Sequence, residues 1–286
     1  MQNLSELVVL IKGGGEMASA VAHRLHRSHL KVCLTELPRP LAVSRGTAFS
    51  EAVFDGVKTI EGVTAELALC KTESLKKVWE YGNIPIIIDT RTRIRHQLKP
   101  DVVIDAISAK KNTGTRISDA PLVIGLGPGF YAGKDVHVVI ETNHDNNLGR
   151  VILEGKARED TRTPVTIGGL AAERVVWAAS EGLFNTKHEI GDSVEAHQVI
   201  AQLGELPLEA PVKGIIRGLL RDGVRAPQNA KLIEIDPVND KAVCYAIRDK
   251  WRAVAGGVLK AIMLRYNTLS KAQPGEKPLS DRLVAA

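Results

Sequence analysis

The sequence has few of the features that mark secreted, membrane-bound or nucleic-acid-binding proteins. Only three of its 286 residues are cysteines, with no Cys-x-x-Cys pair, so neither a disulfide framework nor a zinc knuckle is expected and the thiols should be buried. Its eleven aromatic residues form no basic, aromatic stretch of the kind that stacks unpaired bases. Its apolar runs end after about five residues, far short of the roughly twenty that span a bilayer.

Charge gives no sign of a polyanionic partner either. The net charge is +5, and the excess is spread along the chain without a run of five or six lysines and arginines. Residues 1–6 lack the basic start and apolar core of a secretory signal. We therefore expect a cytoplasmic protein that binds neither nucleic acid nor membrane.

A length of 286 residues favours two folded domains. The composition, with 44% apolar and 25% charged residues, is typical of folded proteins. In residues 1–150, a strand at 7–11, a helix at 16–28 and a strand at 31–36 form a βαβ unit. Further apolar runs predict strands, and one helix lies between them; the strands are at 84–88, 102–104, 122–124 and 136–140, and the helix is at 74–81. Such uniformly apolar strands predict an α/β, doubly wound parallel sheet.

An internal repeat occupies the second domain, residues 151–267. Residues 176–184 align with 208–216, an offset of 32, and residues 192–198 align with 222–228, an offset of 30. Each copy supplies short strands and glycine turns, so two copies should pack as a pseudo-symmetric sandwich. A helix is predicted at 252–266, and a polar tail is predicted at 268–286.

The sharpest local signal follows the first strand. Gly13-x-Gly15-x-x-Ala18 matches the dinucleotide fingerprint, and Glu36 stands at the end of the next strand, where an acidic residue contacts the ribose. This motif assigns phosphate binding to Gly13, Gly14, Gly15, Glu16 and Met17, with Glu36 on the sugar or base side. The Glu16 carboxylate would stand beside the phosphate unless it points outward. The alternative is a glycine turn that only packs strand against helix.

A second glycine cluster, Gly127-Pro128-Gly129, also follows a strand and could wall a pocket at the carboxyl edge of the sheet. Lys111 and Asn112 lie in a polar loop at the same edge, where an anion could bind. A plain tight connection and a solvated basic loop are the alternatives. No metal site is expected, because His23, His26 and His29 fan over 120° of a helix, and no catalytic residue can be named.

Several runs together resemble the YqeB-type accessory proteins of selenium-dependent molybdenum hydroxylase systems. They are Val-Leu-Ile-Lys-Gly-Gly-Gly-Glu-Met-Ala-Ser-Ala-Val-Ala-His-Arg-Leu at 9–25, Thr-Glu-Leu-Pro-Arg-Pro-Leu-Ala-Val at 35–43, Phe-Ser-Glu-Ala-Val at 49–53, and the segments 119–130 and 136–142. The resemblance extends to about residue 265. It departs at 143–147, Asn-His-Asp-Asn-Asn, where the family pattern has Arg-Gly-His.

The resemblance implies a Rossmann-like half similar to XdhC-like maturation factors, followed by a small barrel-sandwich hybrid domain of the biotinyl/lipoyl type. It implies maturation of a molybdenum hydroxylase, with a molybdopterin cofactor, in its dinucleotide form, as the ligand. The partners would be the apo molybdenum hydroxylase or other maturation factors, and a homo-oligomer is left open.

Two other functions fit the same residues. The fingerprint also suits an NAD(P)-dependent oxidoreductase, although no Tyr-x-x-x-Lys motif or His–Asp pair follows that would move a proton. A non-enzymatic scaffold whose repeat half docks onto proteins is the third hypothesis.

Overall fold

The computed structural model describes residues 4–161 and 163–267, and the polar tail predicted at 268–286 lies outside them. The helices in these ranges are α1 (Glu16–Arg27), α2 (Ala52–Asp55), α3 (Thr72–Glu80), α4 (Arg95–Leu98) and α5 (Asp249–Tyr266). Each of them is too short or too polar to cross a membrane.

Seventeen β-strands lie in the same described ranges. Their bounds are β1 (Val8–Lys12), β2 (Lys31–Glu36), β3 (Val57–Ile60), β4 (Val63–Ala68), β5 (Ile84–Ile88), β6 (Val102–Asp105), β7 (Leu122–Leu126), β8 (Val138–Ile140), β9 (Val151–Ile152), β10 (Val175–Trp177), β11 (Gly182–Asn185), β12 (Ser193–Val194), β13 (Val199–Leu203), β14 (Leu206–Glu209), β15 (Gly214–Leu219), β16 (Val224–Ala226) and β17 (Lys231–Asp236).

The first nine strands form one sheet in the order β3-β4-β5-β2-β1-β6-β7-β8-β9. Neighbouring strands from β4 to β8 run parallel, whereas β3 pairs antiparallel with β4 and β9 pairs antiparallel with β8. Alternate residues of β1 enter different cores, Val9 and Ile11 on one face and Leu10 on the other, as strand geometry requires. The sheet is therefore mixed and covered on both faces.

The predicted fold class, a Rossmann-like doubly wound parallel sheet followed by a barrel-sandwich hybrid domain, is wrong. The sheet has antiparallel edges, and residues 127–137, between β7 and β8, contain no helix to wind one strand onto the next. The later strands form two separate four-stranded antiparallel sheets that share no strand, rather than a barrel. The apolar runs predicted the strands but carried no information about the edge hairpin β3–β4, whose sequences Val-Lys-Thr-Ile and Val-Thr-Ala-Glu-Leu-Ala contain no long apolar run.

The internal repeat is confirmed by the order of the strands. One small sheet has the order β10-β17-β15-β12 and the other β14-β13-β11-β16. If β10, β11, β12 and β13 are exchanged with β14, β15, β16 and β17, respectively, the first order becomes the second. Two copies therefore complete each other's sheets, which is how a unit too small to bury its own apolar face becomes stable.

The repeat has a constant offset of 32 residues. Gly182 pairs with Ala226 in one sheet, and Gly214 pairs with Val194 in the other. Gly214 lies 32 positions after Gly182, and Ala226 lies 32 positions after Val194. The alignment of 192–198 with 222–228 at an offset of 30 is thus wrong by two residues, because it followed matching Asp, Val and Ala letters in turns rather than the pairing of strands.

The two parts of the chain are joined at the carboxyl edge of the nine-stranded sheet. After β2, Val43 enters the core of the repeat, where its carbonyl accepts the Leu219 N–H at 2.9 Å. Next to it, Arg45 Nε donates to the Leu219 carbonyl at 2.8 Å. Helix α5 then returns from the repeat and packs against α1 on the face of the large sheet.

Two adjacent glycines of α5 meet different surroundings. A Cβ on Gly257 would lie 2.2 Å from the Gly149 carbonyl oxygen, whereas one on Gly256 would have no atom within 4 Å. Gly257 therefore permits close packing of the helix on the loop before β9.

Alanine substitutions should distinguish the open position at Gly256 from the closely packed position at Gly257. We expect Gly256→Ala to raise the free energy of unfolding by about 1 kcal/mol, because alanine favours the helix and nothing obstructs its methyl group. Gly257→Ala should lower it by about 1–3 kcal/mol through overpacking against Gly149. Urea denaturation of both variants tests this, and equal effects would contradict the close approach of α5.

Candidate functional site

The first two glycines of the fingerprint loop are required by the fold. Gly13 has a φ of 99°, a conformation that residues with a Cβ rarely adopt, and its N–H donates to the Thr35 carbonyl at 2.8 Å. A Cβ on Gly14 would lie 3.0 Å from Ile86 Cδ1 and 3.1 Å from Glu36 Cγ. These two positions hold the loop against the strand ends.

The third glycine faces open space. Gly15 is the N-cap residue of α1, has a φ of −68°, and would have no atom within 4 Å of an added Cβ. No side chain caps the helix there, so the first N–H groups of α1 lack the partner that a capping residue would supply. These donors and the positive end of the helix dipole suit an anion.

The carboxylate of Glu36 stabilises the glycine loop by accepting backbone hydrogen bonds. Its Oε1 accepts the Gly14 N–H at 2.9 Å and its Oε2 accepts the Leu37 N–H at 2.5 Å. Burial raises the pKa of Glu36, and the two N–H donors oppose that rise. The predicted contact of Glu36 with a sugar remains a prediction.

Glu16 forms ion pairs with arginines of the repeat and of the segment before α5. Its Oε1 lies 3.3 Å from Arg217 Nη2 and 3.3 Å from Arg248 Nε, and Thr47 Oγ1 is 3.4 Å away. The carboxylate expected to repel a phosphate is thus neutralised by two guanidinium groups. Arg217 is 3% exposed, so the pairing ties the start of α1 to the interior of the repeat.

One of these two arginines, Arg248, also belongs to a buried network around Glu234. Its Oε1 accepts from Arg174 Nη1 at 2.7 Å and from Arg248 Nη2 at 2.5 Å, and its Oε2 accepts from Lys231. Burial alone would raise the pKa of Glu234, but Lys231 and Arg174 outweigh it and lower the pKa to about 2. The carboxylate is therefore ionised at neutral pH.

A second buried cluster stands where β1 and β6 end. Lys12 Nζ donates to Asp105 Oδ2 at 2.9 Å and to Thr115 Oγ1 at 2.5 Å. Thr115 in turn donates to Asp105 at 2.5 Å. The ammonium is thus satisfied by protein groups beside the glycine loop.

A cavity of about 460 Å³ lies over the glycine loop. Four strands bring residues to it at their carboxyl ends, and the segment 41–44, Lys231 and Trp251 complete its wall. Five of the predicted residues line it, namely Gly13, Gly15, Glu16, Met17 and Glu36. The loop and its acidic residue therefore meet at one cavity, as the fingerprint predicts.

A larger cavity of about 630 Å³ adjoins it. The two cavities share Met17, Ser108, Lys231 and Trp251 as wall residues, so they form one cleft. The larger one is bordered by the side chains Lys110, Arg158, Lys231, Lys250, Trp177 and Trp251, with Asn143 and His144 from the loop that departs from the family pattern. Cleft volumes of this order hold ordinary small-molecule ligands.

The remaining predicted residues shape the loops beside the cleft. Pro128 borders the larger cavity, and Gly127 and Gly129 pack tightly, since added Cβ atoms would lie 2.4 Å from Thr142 Oγ1 and 2.7 Å from Lys111 Cα. Asn112 Oδ1 accepts the N–H groups of Gly114 and Thr115, which fixes its own loop. Lys111 is exposed and outside the walls of both cavities.

Several cleft residues were missed by motif reasoning. Lys231 belongs to the last repeat strand, and Lys250 and Trp251 lie in the first turn of α5. Arg158 lies in the segment after β9, and Trp177 ends β10, the first repeat strand. No local spacing marks them, because they converge only when the repeat and α5 pack on the sheet. The expectation of buried thiols is wrong for Cys70, which is exposed; Cys33 and Cys244 are buried.

No protein-family model matches the chain. The chain is 44% identical over 265 residues to the uncharacterized protein YqeB of Escherichia coli K12. The alignment covers 93% of this chain and 49% of that protein, so the chain spans about half the length of this relative. The predicted resemblance to YqeB is therefore confirmed, whereas the XdhC-like and biotinyl/lipoyl-like composition is not.

Solved structures give only distant likenesses. An aspartoacylase family protein from Mesorhizobium loti is 14% identical, with a TM-score of 0.26 over 80% of this chain and 85% of its own. TcdA (CsdL) is 11% identical, with a TM-score of 0.33 over 93% of this chain and 90% of its own. At these TM-scores the likenesses carry no conclusion about function.

Removal of the charge of Glu234 tests the buried network. We expect Glu234→Gln to lower the free energy of unfolding at pH 7 by about 3 kcal/mol, because Arg174 loses its buried counter-ion. The carboxylate has a folded pKa of about 2, below its ordinary value of 4.5, so its contribution is complete above 4.5 and is lost as the pH falls toward 2.

The stability difference between parent and variant should therefore shrink between pH 4.5 and pH 2, as measured by urea denaturation across that range. Glu181→Gln, which removes an exposed partner of Arg225, is the control and should change stability by less than about 0.5 kcal/mol. A Glu234→Gln effect as small as the control would contradict the network.

Replacement of Gly15 tests the anion site. Gly15→Val should weaken pyrophosphate and cytidine diphosphate binding by at least about tenfold, because a side chain there blocks approach to the helix N–H groups. Stability should stay within about 1 kcal/mol of the parent, since the backbone is extended and the space is open. Calorimetry and urea denaturation check the two parts, with Gly256→Ala as the glycine control that keeps binding.

Proposed function

We propose that this protein is an accessory protein for maturation of a selenium-dependent molybdenum hydroxylase, and that it binds a dinucleotide-like or molybdopterin-type cofactor in the cleft. The observation that carries the proposal is the cleft itself, in which an uncapped helix start and a glycine loop face a cavity that continues into a lysine-lined one. The pathway is taken from the resemblance of the sequence runs to the YqeB-type accessory proteins, and the 44% identity to the uncharacterized protein YqeB supports that resemblance.

The residues of the cleft fit such a ligand. The N–H groups at Gly15–Met17 would hold a phosphate, and Lys231, on the wall shared by both cavities, would face the connection between them. The cofactor supplies the redox chemistry of its hydroxylase, whereas a carrier contributes binding and orientation. The partner that receives it would be the apo-hydroxylase or another maturation factor.

Ligand identity can be tested by thermal stabilisation. The purified chain is heated with NAD, with cytidine diphosphate or with extracted molybdopterin cofactor, since a ligand that binds only the folded state raises the melting temperature. Stabilisation by the cytidine compound or molybdopterin, lost in Gly15→Val, supports the proposal. Stabilisation by NAD alone would favour an NAD(P)-dependent oxidoreductase.

Deletion of the gene tests the maturation role in the cell. We expect the molybdenum hydroxylase to be present at its normal abundance but inactive, with its metal cofactor absent or incomplete. The hydroxylase is purified from the deletion strain and assayed for molybdenum, selenium and activity. Full activity with intact cofactor would reject the maturation role.

A further inference from the structure

The larger cavity has cationic walls, but most of the positive charges on them have carboxylate partners. Lys110 lies 3.5 Å from Asp160, Arg158 pairs with Asp145, and Lys231 pairs with Glu234. A carboxylate in contact weakens the attraction of each of these cations for a further anion.

Lys250 is different. Among the described residues it forms no ion pair, and its Nζ lies 3.9 Å from the centroid of the Trp251 ring. Burial lowers the pKa of Lys250, and Glu16 and Glu234, which are near but not in contact with its ammonium group, only partly oppose this effect. An unpaired, partly buried cation is costly to fold and is explained if an anion supplies the missing charge.

Aromatic side chains border the same cavity. Trp177, which is 49% exposed, and Trp251 are two of the three tryptophans in the chain, and both lie on its wall. The faces of tryptophan rings favour contact with planar rings.

We infer that the larger cavity is a second subsite, which binds the planar, anionic ring end of a ligand through Lys250, Trp177 and Trp251. The inference rests on the proposed function in taking this end to belong to the same ligand as the phosphate at Gly15. The ligand class is therefore an elongated molecule with a phosphate group at one end and an aromatic, anionic ring at the other.

The test uses two small probes that each match one end. Pyrophosphate carries phosphate without a ring, and pterin-6-carboxylate carries an anionic ring without phosphate. Tryptophan fluorescence reports on the ring subsite, because Trp79 donates its Nε1–H to the Val32 carbonyl away from the cleft and serves as a constant background.

We expect pterin-6-carboxylate to quench the fluorescence of the full chain. Its dissociation constant should rise by at least about tenfold in Lys250→Met, because the charge that recognises the carboxylate is lost. Lys260→Met, at an exposed position of the same helix, is the matched control and should stay within about twofold of the parent. Trp177→Ala should weaken binding as well.

The phosphate end is tested separately. Gly15→Val should weaken pyrophosphate binding by at least about tenfold and leave the dissociation constant of pterin-6-carboxylate within about twofold of the parent. Absence of quenching by the ring probe, or equal weakening in Lys250→Met and Lys260→Met, would overturn the second subsite. Undiminished pyrophosphate binding in Gly15→Val would instead count against the phosphate site of the proposed function, with the ring result unaffected.

Discussion

The pairing of Glu16 with Arg217 and Arg248 is the interaction on which the arrangement of the cleft depends. It joins the first residue of α1 to the repeat and to the segment that leads into α5, at distances of 3.3 Å. Arg248 also contacts Glu234, so the start of α1 is connected to a buried ionic network that reaches Arg174. Loss of one partner in such a network leaves a buried charge uncompensated, which is why single charge removals should be costly.

This network also determines the sign of the charge beside the glycine loop. A carboxylate in the first turn of a helix normally stabilises the dipole but would repel an incoming anion. The two carboxylates of this network, Glu16 and Glu234, are paired with four cations, Arg174, Arg217, Arg248 and Lys231, so the network has a net positive charge. Lys231 lies on the wall shared by the two cavities. The interface between the sheet and the repeat thus supplies the charge that the glycine loop lacks, which supports a ligand with more than one anionic group.

Much of the fold could be predicted from the sequence where the signal is local. The predicted strands at 31–36 and 84–88 match the structure residue for residue, because each is a largely apolar run between turns. The repeat was visible because its glycines and alanines recur. The edge hairpin β3–β4 was missed, since its turn at Glu61 and Gly62 lacks the usual Asn-Gly or Asp-Gly letters although both residues have positive φ. The cationic wall of the cleft was missed for another reason, namely that Lys250 and Trp177 meet the loop only through long-range packing.

The central claim is that the start of α1 is an anion site held in place by the repeat. The most direct measurement is the titration of ¹⁵N-labelled protein with pyrophosphate, followed through the amide resonances of Gly13–Met17. We predict that the resonances of Gly15, Glu16 and Met17 shift by more than those of any other segment, and that these shifts disappear in Gly15→Val. Shifts confined to other parts of the chain, or none at saturating pyrophosphate, would contradict the account.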